Sequence, residues 1–174
     1  GTDTYLAGGA PIANDITAAA NRVIYGNVSL AGVAYAYAFI YSAFNNHQST
    51  PAENLTQVGE AQGTVIAVRN LGVSAFALYT ERGQFVVTAQ GGSAPFRVDF
   101  RSAQPGPCSP AAVVAVGEGF HYYMGTDANF YQFDGTICRP IGTRIYAKTQ
   151  ASLNPNLRYR THGTYDRSNR EIHW

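Results

Sequence analysis

Two stretches of this chain spell the same order of short strands and tight turns, and the copies lie 45 residues apart. The first runs Val65-Ile66-Ala67-Val68, Ala75-Phe76-Ala77-Leu78-Tyr79, a turn at Glu81-Arg82-Gly83 and Phe85-Val86-Val87. The second runs Val113-Val114-Ala115-Val116, His121-Tyr122-Tyr123-Met124, a turn at Asp127-Ala128-Asn129 and Phe130-Tyr131-Gln132-Phe133. Short β-branched and aromatic runs bounded by turn formers are strand signals. A repeat of this length with three or four strands per unit predicts β-propeller blades. The expected fold class is all-β, with propeller-like repeats of antiparallel strands. A β-sandwich, with the two copies as its layers, is the alternative. A looser third copy runs Tyr159-Arg160-Thr161, a turn from Asp166 to Asn169, and Glu171-Ile172-His173-Trp174, so the last blade reads as incomplete.

This divides the chain into repeated blades over 64–174 and N-terminal strands with a long excursion over 1–63. Within the latter, Ala18-Ala19-Ala20 after Asp15 or Thr17 suggests one helical turn before Arg22 begins a strand. From Val33 the series Ala34-Tyr35-Ala36-Tyr37-Ala38-Phe39 alternates small with aromatic, and with Tyr41 after it is expected to put Tyr35, Tyr37, Phe39 and Tyr41 on one strand face, buried here or in a partner. These rings are the candidate interface aromatics, and left uncovered they predict that the free chain aggregates or forms rings. Residues 45–63 are polar and aperiodic and read as an excursion from the sheet suited to a neighbour.

Charged residues are 13% of the chain, about half the roughly 25% usual in soluble domains, so neighbours are expected to cover much of the surface. No run approaches the roughly 18 apolar residues of a membrane-spanning helix. Gly1 to Ala20 lacks the basic start and apolar stretch of a secretory signal, and Met124 is the only methionine, so the chain is expected to be a fragment. Cys108 and Cys138 are too few for a disulfide scaffold, and read as two buried thiols with one bridge as the other option. Residues 1–138 hold five Arg against nine acids, −4, whereas 139–174 hold six Arg and one Lys against two acids, +5.

The block Phe120-His121-Tyr122-Tyr123-Met124-Gly125-Thr126-Asp127-Ala128-Asn129-Phe130-Tyr131-Gln132-Phe133-Asp134-Gly135, with Arg139-Pro140-Ile141-Gly142 after it, resembles a blade of bacteriophage tail-channel proteins of the hub or nozzle type. Leu78-Tyr79-Thr80-Glu81-Arg82 and Gly106-Pro107-Cys108-Ser109-Pro110 resemble the preceding blade and linker, so the likeness covers 64–174. The resemblance implies a virion protein, assembled in the bacterial host cytoplasm, whose copies form a ring that extends or closes the DNA channel and retains the genome. Its implied partners are copies of itself, other tail or portal-associated virion proteins and, non-specifically, packaged DNA. It carries over no catalytic residue and no cofactor. A glycan-binding or sialidase-like propeller for host recognition is the alternative.

Asp99, Glu118, Asp127 and Asp134 fall at turns or strand ends rather than as a glycosidase pair, and Asp127 reads as capping its own hairpin. His47, His121, His162 and His173 lack metal-ligand spacing. The expectation is a non-enzyme. The functional candidates are the basic side chains Arg139, Arg144, Lys148, Arg158, Arg160, Arg167 and Arg170. A genome-conducting channel should not grip phosphates, so most of these are expected to pair with acids of a neighbouring subunit, Glu53, Glu60 and Asp99 being candidates, leaving Arg158 or Arg160 for DNA.

Overall fold

The computed structural model describes residues 11–92, 95–117 and 119–174; the start of the chain and the candidate carboxylate Glu118 lie outside the described residues. Three consecutive four-stranded antiparallel meanders make up most of it. The first contains β1 (Ile12–Ala19), β2 (Arg22–Leu30), β3 (Val33–Tyr41) and β4 (Thr56–Gln57). In the second are β5 (Val65–Asn70), β6 (Ala75–Thr80), β7 (Gly83–Ala89) and β8 (Phe96–Ser102). The third is β9 (Val113–Val116), β10 (Phe120–Met124), β11 (Phe130–Phe133) and β12 (Cys138–Pro140). A short helix α1 (Tyr146–Ser152) and a 3₁₀ turn at Pro155–Arg160 then lead to a two-stranded hairpin, β13 (Thr164–Asp166) and β14 (Glu171–His173). The chain is all-β with propeller-like repeats, and the two sequence repeats are the second and third sheets.

The second sheet is covered on both faces. Val68, Phe76, Leu78, Phe85 and Val87 pack against Ile24, Phe39 and Tyr41 of the first sheet. Its opposite face presents Ala67, Ala77, Tyr79 and Val86 to Val113, Tyr123, Tyr131 and Phe133 of the third. This double burial explains why β6 and β7 read as nearly unbroken apolar runs rather than alternating ones. The two repeats do face each other, as sandwich layers would, but a further sheet lies on the far side. Successive first strands β1, β5, β9 and β13 are neighbours, as in blades arranged around an axis.

Two sequence expectations for the first sheet need correction. No helical turn forms at 17–25; β1 and β2 are joined by Ala20 and Asn21, both left-handed at φ 51° and 55°. Consecutive positive φ values make a tight hairpin whose twist matches the strands, and this outweighs the helix propensity of three alanines. Nor do the β3 rings share one face. Gly26 pairs with Phe39 and Val28 with Tyr35, so Ala36, Tyr37 and Ala38 stand opposite Asn27 alone, itself at φ 51°. This bulge divides the rings between clusters: Phe39 and Tyr41 enter the core against the second sheet, while Tyr35 packs on Val28, Leu30 and Ile40. Residues 45–63 do leave the sheet, returning as the brief outer strand β4 on Ala38 and Phe39.

Gly26 sets how closely the first two sheets approach, because a Cβ there would stand 2.9 Å from one Val68 methyl and 3.1 Å from a methyl of Val65. Gly26→Val should cost about 1–3 kcal/mol through overpacking, seen as a lower urea midpoint with unchanged slope. An unchanged midpoint would mean that these sheets do not pack face to face.

Candidate functional site

Sheets stacked face to face share no hydrogen-bond ladder, so side chains must bridge them. Arg69, at the end of β5, does most of this. Its guanidinium reaches the Asp15 carboxylate on β1 and the Pro110 carbonyl just before β9, joining all three sheets. Asp15 also accepts the Val68 N–H at 2.8 Å, Asn14 donates to the Ile66 carbonyl at 3.0 Å, and Asn70 donates to that of Ala18 at 2.7 Å. Burial lifts the Asp15 carboxyl above its usual pKa, and Arg69 offsets only part of that cost.

Two buried polar chains cross the interface of the second and third sheets. His121 Nε2 lies 2.8 Å from the Asn70 carbonyl, which can only accept, so that nitrogen carries the proton and Nδ1 accepts from the Tyr79 hydroxyl at 2.8 Å. Tyr123 donates to the Pro105 carbonyl at 2.9 Å, which leaves the Cys138 thiol, 3.2 Å away, as donor to the phenol oxygen. Burial pushes the Tyr79 and Tyr123 hydroxyls well up, raises Cys138 to about 11 and lowers His121 to about 4. All four are thus neutral packing groups near pH 7. Both cysteines are free thiols.

Of the sequence-marked carboxylates, Asp127 and Asp134 are occupied by their turns, whereas Asp99 lies in the middle of β8 and not at a turn or strand end. Asp127 accepts the Asn129 N–H at 3.1 Å and the Tyr131 hydroxyl at 2.7 Å; Asp134 accepts the N–H groups of Thr136 and Ile137 at 2.8 and 2.7 Å. These Ile137 and Thr136 bonds hold the Asp134 carboxyl below its usual pKa. Among the described residues no group of three or more His, Cys, Asp or Glu side chains is arranged to hold a metal, and no helix is long and apolar enough to cross a membrane.

The basic candidates gather on the C-terminal segment, which caps the outer side of the third sheet. The Trp174 ring lies tilted against that of Phe130, with centroids 4.8 Å apart, and its N–H donates to the Ala112 carbonyl at 2.9 Å; the Gly163 N–H reaches the Ala111 carbonyl at 2.8 Å. Arg139 sits exposed on β12, Arg144 before α1, Lys148 on α1, Arg160 on the 3₁₀ turn, and Arg167 and Arg170 at the β13–β14 turn. Arg158 differs: half-buried, it donates to the Thr126 carbonyl and so fastens the cap. Among the described residues, none of these seven has an acid within 4.0 Å.

Of the proposed acidic partners, Asp99 is held within its own chain by Arg97 at 2.7 Å and Arg101 at 3.3 Å, whereas Glu53 and Glu60 are exposed without an ion pair among the described residues. Phe39 and Tyr41 are occupied by the chain's own core, and Tyr35 and Tyr37 are half-buried. The sequence reading missed Arg69, although a lone cation after Val65-Ile66-Ala67-Val68 is a signal, and it missed α1. A comparison with protein-family models finds no match, and none is found among curated proteins.

His121 makes the fold acid-sensitive. In the unfolded chain its imidazole takes a proton near pH 6.5, in the folded chain only near 4. Stability is therefore full above pH 6.5 and falls as pH drops toward 4, by up to about 3 kcal/mol. His121→Gln should be less stable at pH 7 in urea melts, with a stability that changes less across that window; an equally steep acid limb in the variant would assign the sensitivity elsewhere. Arg69→Met should cost about 2–4 kcal/mol by stranding Asp15, and Asp15→Asn in the same chain should restore part of that loss in urea melts.

Proposed function

We propose that this chain is a structural subunit of a ring in a bacteriophage tail hub or nozzle, extending or closing the DNA channel and helping to retain the genome. The observation that carries the reading is the charge at one end of the stack: six exposed basic side chains without an ion pair among the described residues, five on the cap and Arg139 on β12, while the opposite end bears the exposed Glu53. Same-sign charges crowded together repel, and an acidic neighbour relieves that cost. Opposite charges at the two ends of one repeat favour head-to-tail contacts, which close into rings when the rotation per subunit allows. The blade-like repeat of 120–142 and its likeness to tail-channel proteins supply the setting.

In this reading Arg144, Arg167 and Arg170 meet acids of the next subunit, with Glu53 and Glu60 as partners in place of Asp99. DNA contact falls to Arg160 rather than Arg158, whose guanidinium is already bonded to Thr126. Electron microscopy of the native particle tests the assignment: density for these sheets in a ring on the tail axis supports it, and density confined to peripheral fibres overturns it. Arg144→Glu with Arg167→Glu should leave the melting temperature within about 2 °C, since both side chains are exposed, while abolishing ring assembly. Unchanged assembly with weakened DNA binding would place these arginines on the channel wall.

A further inference from the structure

We propose that the cleft between the third sheet and its C-terminal cap binds an anionic amphiphile, a long-chain carboxylate being its simplest form. The cleft holds about 610 Å³, within the range of small-molecule sites. Met124 and Phe130 come from the sheet, and Ile145, Leu153, Leu157 and Trp174 from the cap. Ile145, Leu157 and Trp174 keep 50%, 43% and 38% of their surface exposed, apolar area that neither layer covers.

The polar groups around this apolar lining divide into spent and available. The Thr149 hydroxyl donates to the Ile145 carbonyl at 3.1 Å and that of Ser152 to Lys148 at 2.9 Å, so both serve α1 itself. The Trp174 N–H is taken by Ala112. Lys148, Arg160 and the His162 imidazole remain, and among the described residues no Asp or Glu lines the cleft. Arg160 is steadied by the Tyr159 ring, 5.6 Å from its guanidinium carbon, and by a 3.2 Å bond from Nε to the Tyr159 hydroxyl, which leaves its terminal nitrogens to donate. An apolar lining with unpaired cations at its rim accepts an apolar body with an anionic head. A neutral chain would forgo the charge contact, and a cationic one would be repelled. The site needs one copy of the chain and does not depend on the ring reading.

Trp174 is the only tryptophan, so its emission reports on this cleft. Titrating the full chain with dodecanoate, below the concentration at which it forms micelles, should give a saturable change with one site per chain. Dodecanol should bind at least about tenfold more weakly and dodecyltrimethylammonium not detectably. Lys148→Glu with Arg160→Glu, both exposed, should weaken dodecanoate by about tenfold or more while leaving the urea midpoint unchanged. Three ways of overturning the proposal are open: no saturation, equal binding of all three probes, or an emission change that follows protein concentration without ligand, which would give the cleft to a second copy.

Discussion

The Arg69 guanidinium is the joint on which the arrangement of the sheets depends. Each meander satisfies its own backbone through its ladders, but nothing in a ladder tells one sheet where to sit against the next. Apolar contact between sheets is non-directional and would tolerate sliding. Arg69 removes that freedom by bonding at once to Asp15 of the first sheet and to the carbonyl before the third. The planar guanidinium can make both contacts from one side chain, which a lysine ammonium could not do with the same geometry. The pairing is not cheap, as the raised pKa of Asp15 attests. Its value lies in specifying position more than in net stability.

The same logic governs the polar groups between the second and third sheets. Tyr79, His121, Tyr123 and Cys138 could have been larger aliphatic residues if filling space were the only need. Instead each hydroxyl, imidazole or thiol is assigned one role by a carbonyl that can only accept, at Asn70 in one chain and Pro105 in the other. Because an unpaired buried group costs about 1–3 kcal/mol, a slipped stacking of these sheets would lose several bonds together. The interface therefore holds one register even though its apolar half would accept others.

How much of this was legible follows from the range of each signal. The turns at Glu81-Arg82 and Asp127–Asn129 are local, and so the repeat, the strands and the all-β class could be read from residue order. The hairpin at Ala20-Asn21 could not, because alanine rarely takes a positive φ and its neighbours favour a helix. The bulge opposite Asn27 was equally hidden, since an alternating pattern gives no hint that three residues of one strand will face one of its partner. For the cap, the sequence displayed the charge but not its surroundings. That Arg158 is bonded and Asp99 already paired are facts of tertiary contact between residues far apart in the chain.

The position of the charge follows from the stacking. A sheet inside the stack has each face covered by another sheet, and a charge on such a face would have to be buried, so the described faces carry few beyond the paired Asp15 and Arg69. The third sheet ends the run. Where another blade would continue it, the chain supplies α1, a 3₁₀ turn and a two-stranded hairpin, beneath which Val114 is buried but Phe130 is covered only in part. A thin cap of this kind has solvent on its outer side and apolar residues such as Ile145 and Leu157 half-exposed on its inner side. Its cations lie exposed to solvent beside those apolar gaps. The C-terminal charge reversal seen in the sequence thus coincides with the segment where sheet-on-sheet stacking gives way to a thin, solvent-facing cover.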